Sequence, residues 1–235
     1  MSVLLLARGD SLAKDLLRAA IEARYGFSPP VLESLQLEVK GRMRTRFGPV
    51  SRWLAFSAGI TVKLPLSFHY EYTLRLSGVP VRRSTQAYDG MVLRRDEGGE
   101  PTVVTESQVI QSVQQRLWAG LTLLLMPLTE GHVTLHAPGE HLIEATNGDT
   151  ADTTLIVLND DYSVQYVQTV AYNPQAEENQ VFKLTLSPRY VNVGGLPLPE
   201  TVTCSWDDEP FLEIEPVEAL LNPALDDALF ILDED

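Results

Sequence analysis

The chain has 235 residues, 44% of them hydrophobic, and carries a formal net charge of −14. That acidity excludes generic nucleic-acid binding, which needs a basic footprint. One cysteine, Cys204, excludes an intrachain disulfide framework.

The opening MSVLLLARGD lacks a basic n-region and a cleavage-like site, so no signal peptide is expected and the compartment reads as cytoplasmic. A chain whose leader had been removed would read the same and belong to the periplasm or the outside of the cell. Arg8-Gly9-Asp10 spells an adhesion tripeptide, but Asp10 or Ser11 is better explained as a helix N-cap. A helix is predicted over 11–25. Leu12, Leu16, Ala19, Ala20 and Ala23 share a face, and Gly26 ends it.

Strict alternation from Leu35 to Met43, continuing to Phe47, predicts a long half-buried strand that can bend at Gly41. Gly48-Pro49 turns the chain. Strands are expected over 53–56 and 59–64, with Pro65 as a break. Phe68, Tyr70, Tyr72, Leu74 and Leu76 then alternate with polar residues. Gly78 marks a turn, 79–87 a strand and Asp89-Gly90 a hairpin signal before a return over 91–94. Residues 96–101 read as a loop.

The most apolar stretch is 105–128. Thr105 and Gln108 fit a capping box, with Val104 and Val109 at the staple positions. Val109, Val113, Leu117, Leu121, Leu124 and Leu125 form one stripe, and Pro127 should end the helix near Met126. The apolar part is too short to span a membrane, which needs about 20 such residues. Strands follow over 133–137, 142–145, 153–158, 164–172, 182–186 (with a possible extension to 190), 200–206 and 211–217. Turns are expected at Pro138-Gly139 and Asn147-Gly148-Asp149, and the tail over 222–232 holds a short helical or extended piece. No linker divides the chain. The prediction is one α+β domain over 1–235, with an antiparallel sheet curling around a long central helix, plus an N-terminal helix.

Chemistry is sparse. His132 and His136 on a strand would lie roughly 13 Å apart, too far to share one metal ion. The Asn147–Asp152 and Asn159–Asp161 groups lack EF-hand spacing. No nucleophile-elbow, phosphate-loop, dinucleotide or zinc-protease motif occurs. Cys204 alternates with Val202 and Trp206 and reads as a core thiol. The chain is therefore read as a non-enzyme without metal or cofactor. The aromatic row Phe68, Tyr70 and Tyr72, together with Trp118, Leu121, Leu124 and Leu125 of the apolar helix, is the candidate lining of a site for an apolar small molecule or lipid.

Charge is uneven. Fifteen of the 18 Lys and Arg precede Asp96, against seven acids, and 25 of the 32 acids lie from Asp96 onward. Either basic and acidic strands pair across a sheet, or the basic face around Lys40, Arg42 and Arg44 docks on an anionic surface or protein partner.

The second half runs LLLMPL, GHVTLHAPGE, LIVLNDDYSVQYV, SPRYVNVGGLPLPETV, FLEIEPVEAL and LNPALDDALFIL. The first half opens AIEARYG and LESLQLEVKGRMR. This order resembles the LolA-like bacterial lipoprotein-carrier superfamily. The resemblance implies a strongly curved, unclosed antiparallel half-barrel with helices in its concave side, able to hold acyl chains or other apolar groups. It transfers no specific binding residue. The alternative is a structural or regulatory interaction module of the same fold with a filled core.

Overall fold

The computed structural model describes residues 6–47 and 50–232. The opening five residues and the Gly48-Pro49 turn lie outside the described residues. The elements begin with β1 (Arg8–Gly9), α1 (Ser11–Tyr25), β2 (Ser34–Phe47), β3 (Val50–Lys63), β4 (Ser67–Leu76), β5 (Val79–Tyr88), β6 (Leu93–Asp96), β7 (Thr102–Val103) and α2 (Ser107–Thr122). A 3₁₀ turn at Met126–Thr129 leads into β8 (Val133–Gly139), β9 (Leu142–Asn147), β10 (Thr153–Leu158), β11 (Val164–Asn173) and β12 (Glu178–Leu186). The chain closes with β13 (Tyr190–Val193), β14 (Leu196–Pro199), β15 (Val202–Trp206), β16 (Glu209–Leu221) and a 3₁₀ turn at Asp227–Phe230. It is an α+β fold dominated by antiparallel sheet. The chain divides into two units, each assembled from separate segments.

The first unit takes the chain up to Val31, Gln111–Pro188 and Cys204–Glu209. Its strands run in the order β1-β8-β9-β10-β11-β12-β15. Asp10 is the N-cap of α1, accepting from the Ala13 amide at 3.0 Å, and Gly26 ends the helix at φ 64°. The same Asp10 carboxylate accepts from the Ala137 amide and meets His136 Nδ1 at 2.8 Å, so it also ties the helix start to β8. Those bonds, the Ala13 one foremost, hold its pKa below the ordinary carboxylate range. Gly9 sits against β8 so closely that a Cβ would meet the Leu135 carbonyl oxygen at 1.8 Å. The tripeptide containing Asp10 is thus an edge strand followed by a cap.

The bounds of α1 match the sequence prediction, but its buried face differs. Ala13, Leu16, Leu17, Ala20 and Ile21 are buried, whereas Leu12 is 54% exposed. Ala13, Leu17 and Ile21 fall at i, i+4 and i+8, and that stripe buries two large side chains against β8 and β9. Burial of each is worth ~2 kcal/mol.

The helix predicted over 105–126 is a 16-residue helix, Ser107–Thr122. Its first carbonyl acceptor is Glu106, which takes the Val109 and Ile110 amides, so the cap lies one residue later than Thr105. It ends early because the chain unwinds before Pro127. Leu125 adopts φ 63°, and the Leu124 and Leu125 amides bond three residues back. The carbonyls this exposes find partners on α1: Arg24 donates to Leu123 and Tyr25 donates to Leu124 at 2.8 Å. Because Pro127 has no N–H, Leu123 has no donor four residues on. The Arg24 guanidinium takes that place. No helix among the described residues is long and apolar enough to cross a membrane.

The second unit takes Leu32–Ile110, Arg189–Thr203 and the chain from Pro210. Its strands run β16-β2-β3-β4-β5-β6-β7, with β13 and β14 as a separate ribbon. The two strands expected over 53–64 are one, β3, paired with β2 through every residue of both from Ser34↔Lys63 to Phe47↔Val50. Beside β2 on its other edge lies β16, with Lys40 opposite Glu215 and Arg42 opposite Glu213. The charge asymmetry is therefore neutralised across strands here, as the first of the two sequence readings expects. The Arg42 guanidinium grips Glu213 with two bonds, at 2.7 and 2.9 Å.

Three smaller differences have local causes. The turn predicted at Pro138-Gly139 falls at Glu140-His141, with His141 at φ 59°. Residues 197 and 199, both proline, lie in β14, a strand of a two-stranded ribbon where a missing donor is tolerated. The possible extension of β12 to 190 is instead the separate strand β13.

Candidate functional site

The second unit builds an apolar sheet face from alternating residues. Val39, Ala58 and Tyr72 lie in one cross-strand row, and Leu37, Ile60 and Tyr70 in the next. A third row joins Leu35, Val62, Phe68 and Tyr88. Period-two alternation puts all of these on one face. Val39, Leu54, Phe56, Ala58 and Leu74 are buried at its centre. Around them Leu37, Met43, Ile60, Tyr70, Tyr72, Leu212 and Ile214 pack while staying half-buried.

The aromatic residues pack in two groups. Tyr72 stacks on Phe56 at 5.9 Å between ring centroids and meets Tyr70 at 5.6 Å. Phe68 meets Tyr88 at 6.0 Å. Such pairs contribute about 0.5–1.5 kcal/mol each beyond area burial. They hold flat apolar surfaces in fixed orientation while part of that surface stays accessible. An aliphatic chain could lie on this face by dispersion and desolvation alone; a charged ligand would find no partner there.

The opposite face of the same strands is polar. Glu38, Gly59, Glu71 and Thr85 form one row, bordering a groove of about 310 Å³. Arg75 lies at its rim and donates to Ser57 at 2.7 Å. Burial, and then the charges of Glu71 and Glu218, push the Glu38 carboxyl above its ordinary range.

The seven residues singled out from sequence divide between the two units. Phe68, Tyr70 and Tyr72 share the apolar face just described. Trp118, Leu121, Leu124 and Leu125 belong to the first unit, at the end of α2 and the turn beyond it, and each is buried. Trp118 donates its Nε1–H to the Ala145 carbonyl at 3.4 Å. Sequence reasoning missed Ile60, Leu212 and Ile214 as members of the apolar face. The alternation FLEIE had signalled the last two, but only the pairing of β16 with β2 sets them beside Met43 and Gly41.

The remaining sequence candidates are structural. His136 pairs with Asp10, and the His141 ring packs against Tyr162 at 5.6 Å. Among the described residues no group of His, Cys, Asp or Glu could hold a metal ion. Cys204 is buried, and burial pushes its thiol up to about 12 despite the Arg116 charge.

No family model and no curated protein sequence matches the chain. Solved structures do. A DUF1329 family protein from Desulfovibrio piger aligns with TM-score 0.52 at 10% identity, covering 93% of this chain and 96% of that one. A LolA superfamily protein from Nitrosomonas europaea aligns with TM-score 0.51 at 12% identity over 93% and 96%. A domain assigned to outer membrane lipoprotein sorting, from Vibrio parahaemolyticus, aligns with TM-score 0.51 at 7% identity over 94% and 96%. The chain has a LolA-like fold.

Proposed function

We propose that this protein is a non-enzymatic carrier that holds an apolar group, such as a lipid or the acyl chains of a lipoprotein. The observation that carries this reading is the half-buried apolar rim of the second unit, Leu37, Met43, Ile60, Tyr70, Tyr72, Leu212 and Ile214. Leaving that many apolar side chains short of full burial is costly at about 25 cal/mol per Å² unless something else covers them. The LolA-like fold supports the same reading, since one solved relative in shape is assigned to lipoprotein sorting.

In this reading Tyr70 and Tyr72 touch the ligand, and Phe68, paired with Tyr88, packs the buried part of the same face. Trp118, Leu121, Leu124 and Leu125 act by packing the first unit, in keeping with their burial. The two units serve together as one LolA-like domain, and the protein works in the cell envelope. A second reading, an interaction module with a filled core, is favoured by the burial of Trp118, Leu121, Leu124 and Leu125.

Titration with a fluorescent fatty acid separates the two. The carrier reading predicts saturable binding that Tyr72→Glu and Ile60→Glu weaken by tenfold or more, roughly the effect of 1.4 kcal/mol or greater. A probe that does not bind, or that binds both variants as well as the parent chain, would reject it. Cell fractionation with antibody detection checks the envelope location.

A further inference from the structure

One end of the second unit's sheet combines exposed apolar residues with arginine. In β3 the first four residues, Val50 to Trp53, are all exposed, and in β5 so are the first five, Val79 to Arg83. The antiparallel register puts the two stretches at the same end. Ala55 pairs with Arg75, so the chain between β4 and β5 lies beside the start of β3. Successive strand residues point to opposite faces. Exposure at consecutive positions therefore means that the starts of β3 and β5 are wet on either side.

Their composition departs from the rest of the chain. Residues 42–53 and 75–83 hold seven arginines and no Asp or Glu, in a protein with 32 acidic residues. Glu213 neutralises Arg42, and Glu97 neutralises Arg82. Arg46, Arg52 and Arg83 are exposed and have no ion-pair partner among the described residues. Between them stand Val50 at 48% exposure, Trp53 at 38%, Leu76 at 44%, Val79 at 63% and Val81 at 48%. The Arg42 guanidinium lies over the Trp53 ring at 4.9 Å, holding the indole at the surface.

From this we infer that the end of the sheet where β3 and β5 begin docks on an anionic phospholipid bilayer. Arginine near an anionic leaflet is attracted to lipid phosphate. Tryptophan is favoured at the level of the headgroups. The valines and the leucine give apolar surface to immerse just below them. A flat protein partner would use one face of a hairpin; residues protruding on both faces suit a layer that surrounds them. The remainder of the chain is strongly acidic and is repelled by the same surface, which favours approach by this end. The inference is independent of what the apolar face carries.

Co-sedimentation with vesicles tests it, using equal parts phosphatidylglycerol and phosphatidylcholine against phosphatidylcholine alone. The parent chain is expected on the anionic vesicles only, and less so as salt rises. The variant R46E/R52E/R83E should lose binding ~10-fold or more, while its melting curve stays that of the parent because all three positions are exposed. Brominated lipid should quench part of the tryptophan emission, and Trp53→Phe should remove that part. The inference is overturned if neither vesicle binds, if the triple variant binds equally, if quenching is unchanged in Trp53→Phe, or if this end instead captures an acidic protein.

Discussion

Gly41 and Glu213 approach so closely across β2 and β16 that a Cβ on Gly41 would lie 1.9 Å from the Glu213 carbonyl oxygen. Strand β2 can pass its neighbour there only because it has no side chain. At Gly59 of β3 the nearest obstacle is the flexible end of Glu38, at 3.1 Å. Gly41→Ala must move backbone and should cost ~2–4 kcal/mol in denaturant unfolding, whereas Gly59→Ala should cost under ~1 kcal/mol. Equal costs would contradict this account of the sheet.

The junction of α1 with the end of α2 gives a second test. Tyr25→Phe removes the hydroxyl that donates to Leu124, but the Met126 amide still donates to the same carbonyl at 2.8 Å. The loss should therefore be ~1 kcal/mol, without the added penalty of an orphaned acceptor. A loss of several kcal/mol would mean that Tyr25 does more than bond.

Asp152 is 4% exposed, and its Oδ2 has no hydrogen-bond partner among the described residues. Burial raises its pKa. The folded state thus binds more protons than the unfolded chain between the unfolded pKa and the raised folded one. Stability must fall as pH rises through that window. Asp152→Asn should stabilise the protein at neutral pH by ~1 kcal/mol. The gain should shrink as pH drops below the raised pKa and vanish below the ordinary carboxylate range. A gain independent of pH would point to packing.

Trp118 and Tyr72 separate packing from contact. Trp118 is 2% exposed, so Trp118→Ala should cost ~3–5 kcal/mol in unfolding experiments. Tyr72→Glu sits on a half-buried rim and should fold with a small loss, while abolishing uptake of an apolar probe. If Trp118→Ala melts like the parent chain, the first unit is not packed as described.

Cys204 should be silent in the native state. Its thiol is buried and its pKa is pushed up to about 12, so almost no thiolate exists near neutrality. A thiol-reactive dye should label the protein only after denaturant unfolds it. Rapid labelling of the native protein would show that β15 opens.

Local grammar was legible in the sequence. Asp10 and Gly26 bracket α1, and the alternation of Leu35 to Met43 and of Phe68 to Leu74 places β2 and β4 with the right faces inward. Long-range pairing was legible only as a shadow. The net charges of the two halves pointed to basic strands beside acidic ones, but not to Arg42 meeting Glu213, 171 residues away. The end of α2 was misplaced because the deciding partners, Arg24 and Tyr25, lie on another helix. The aromatic row of the apolar face could be read from β4 alone. Its neighbours Ile60, Leu212 and Ile214 needed the register of three strands.

The carrier reading meets its most direct test in native mass spectrometry of freshly purified protein, with extraction and identification of whatever is bound. It predicts adducts in the mass range of lipids or acyl groups, lost in Tyr72→Glu while the folded charge-state distribution is kept. A bare mass for the parent protein, unchanged after incubation with lipid, would contradict it.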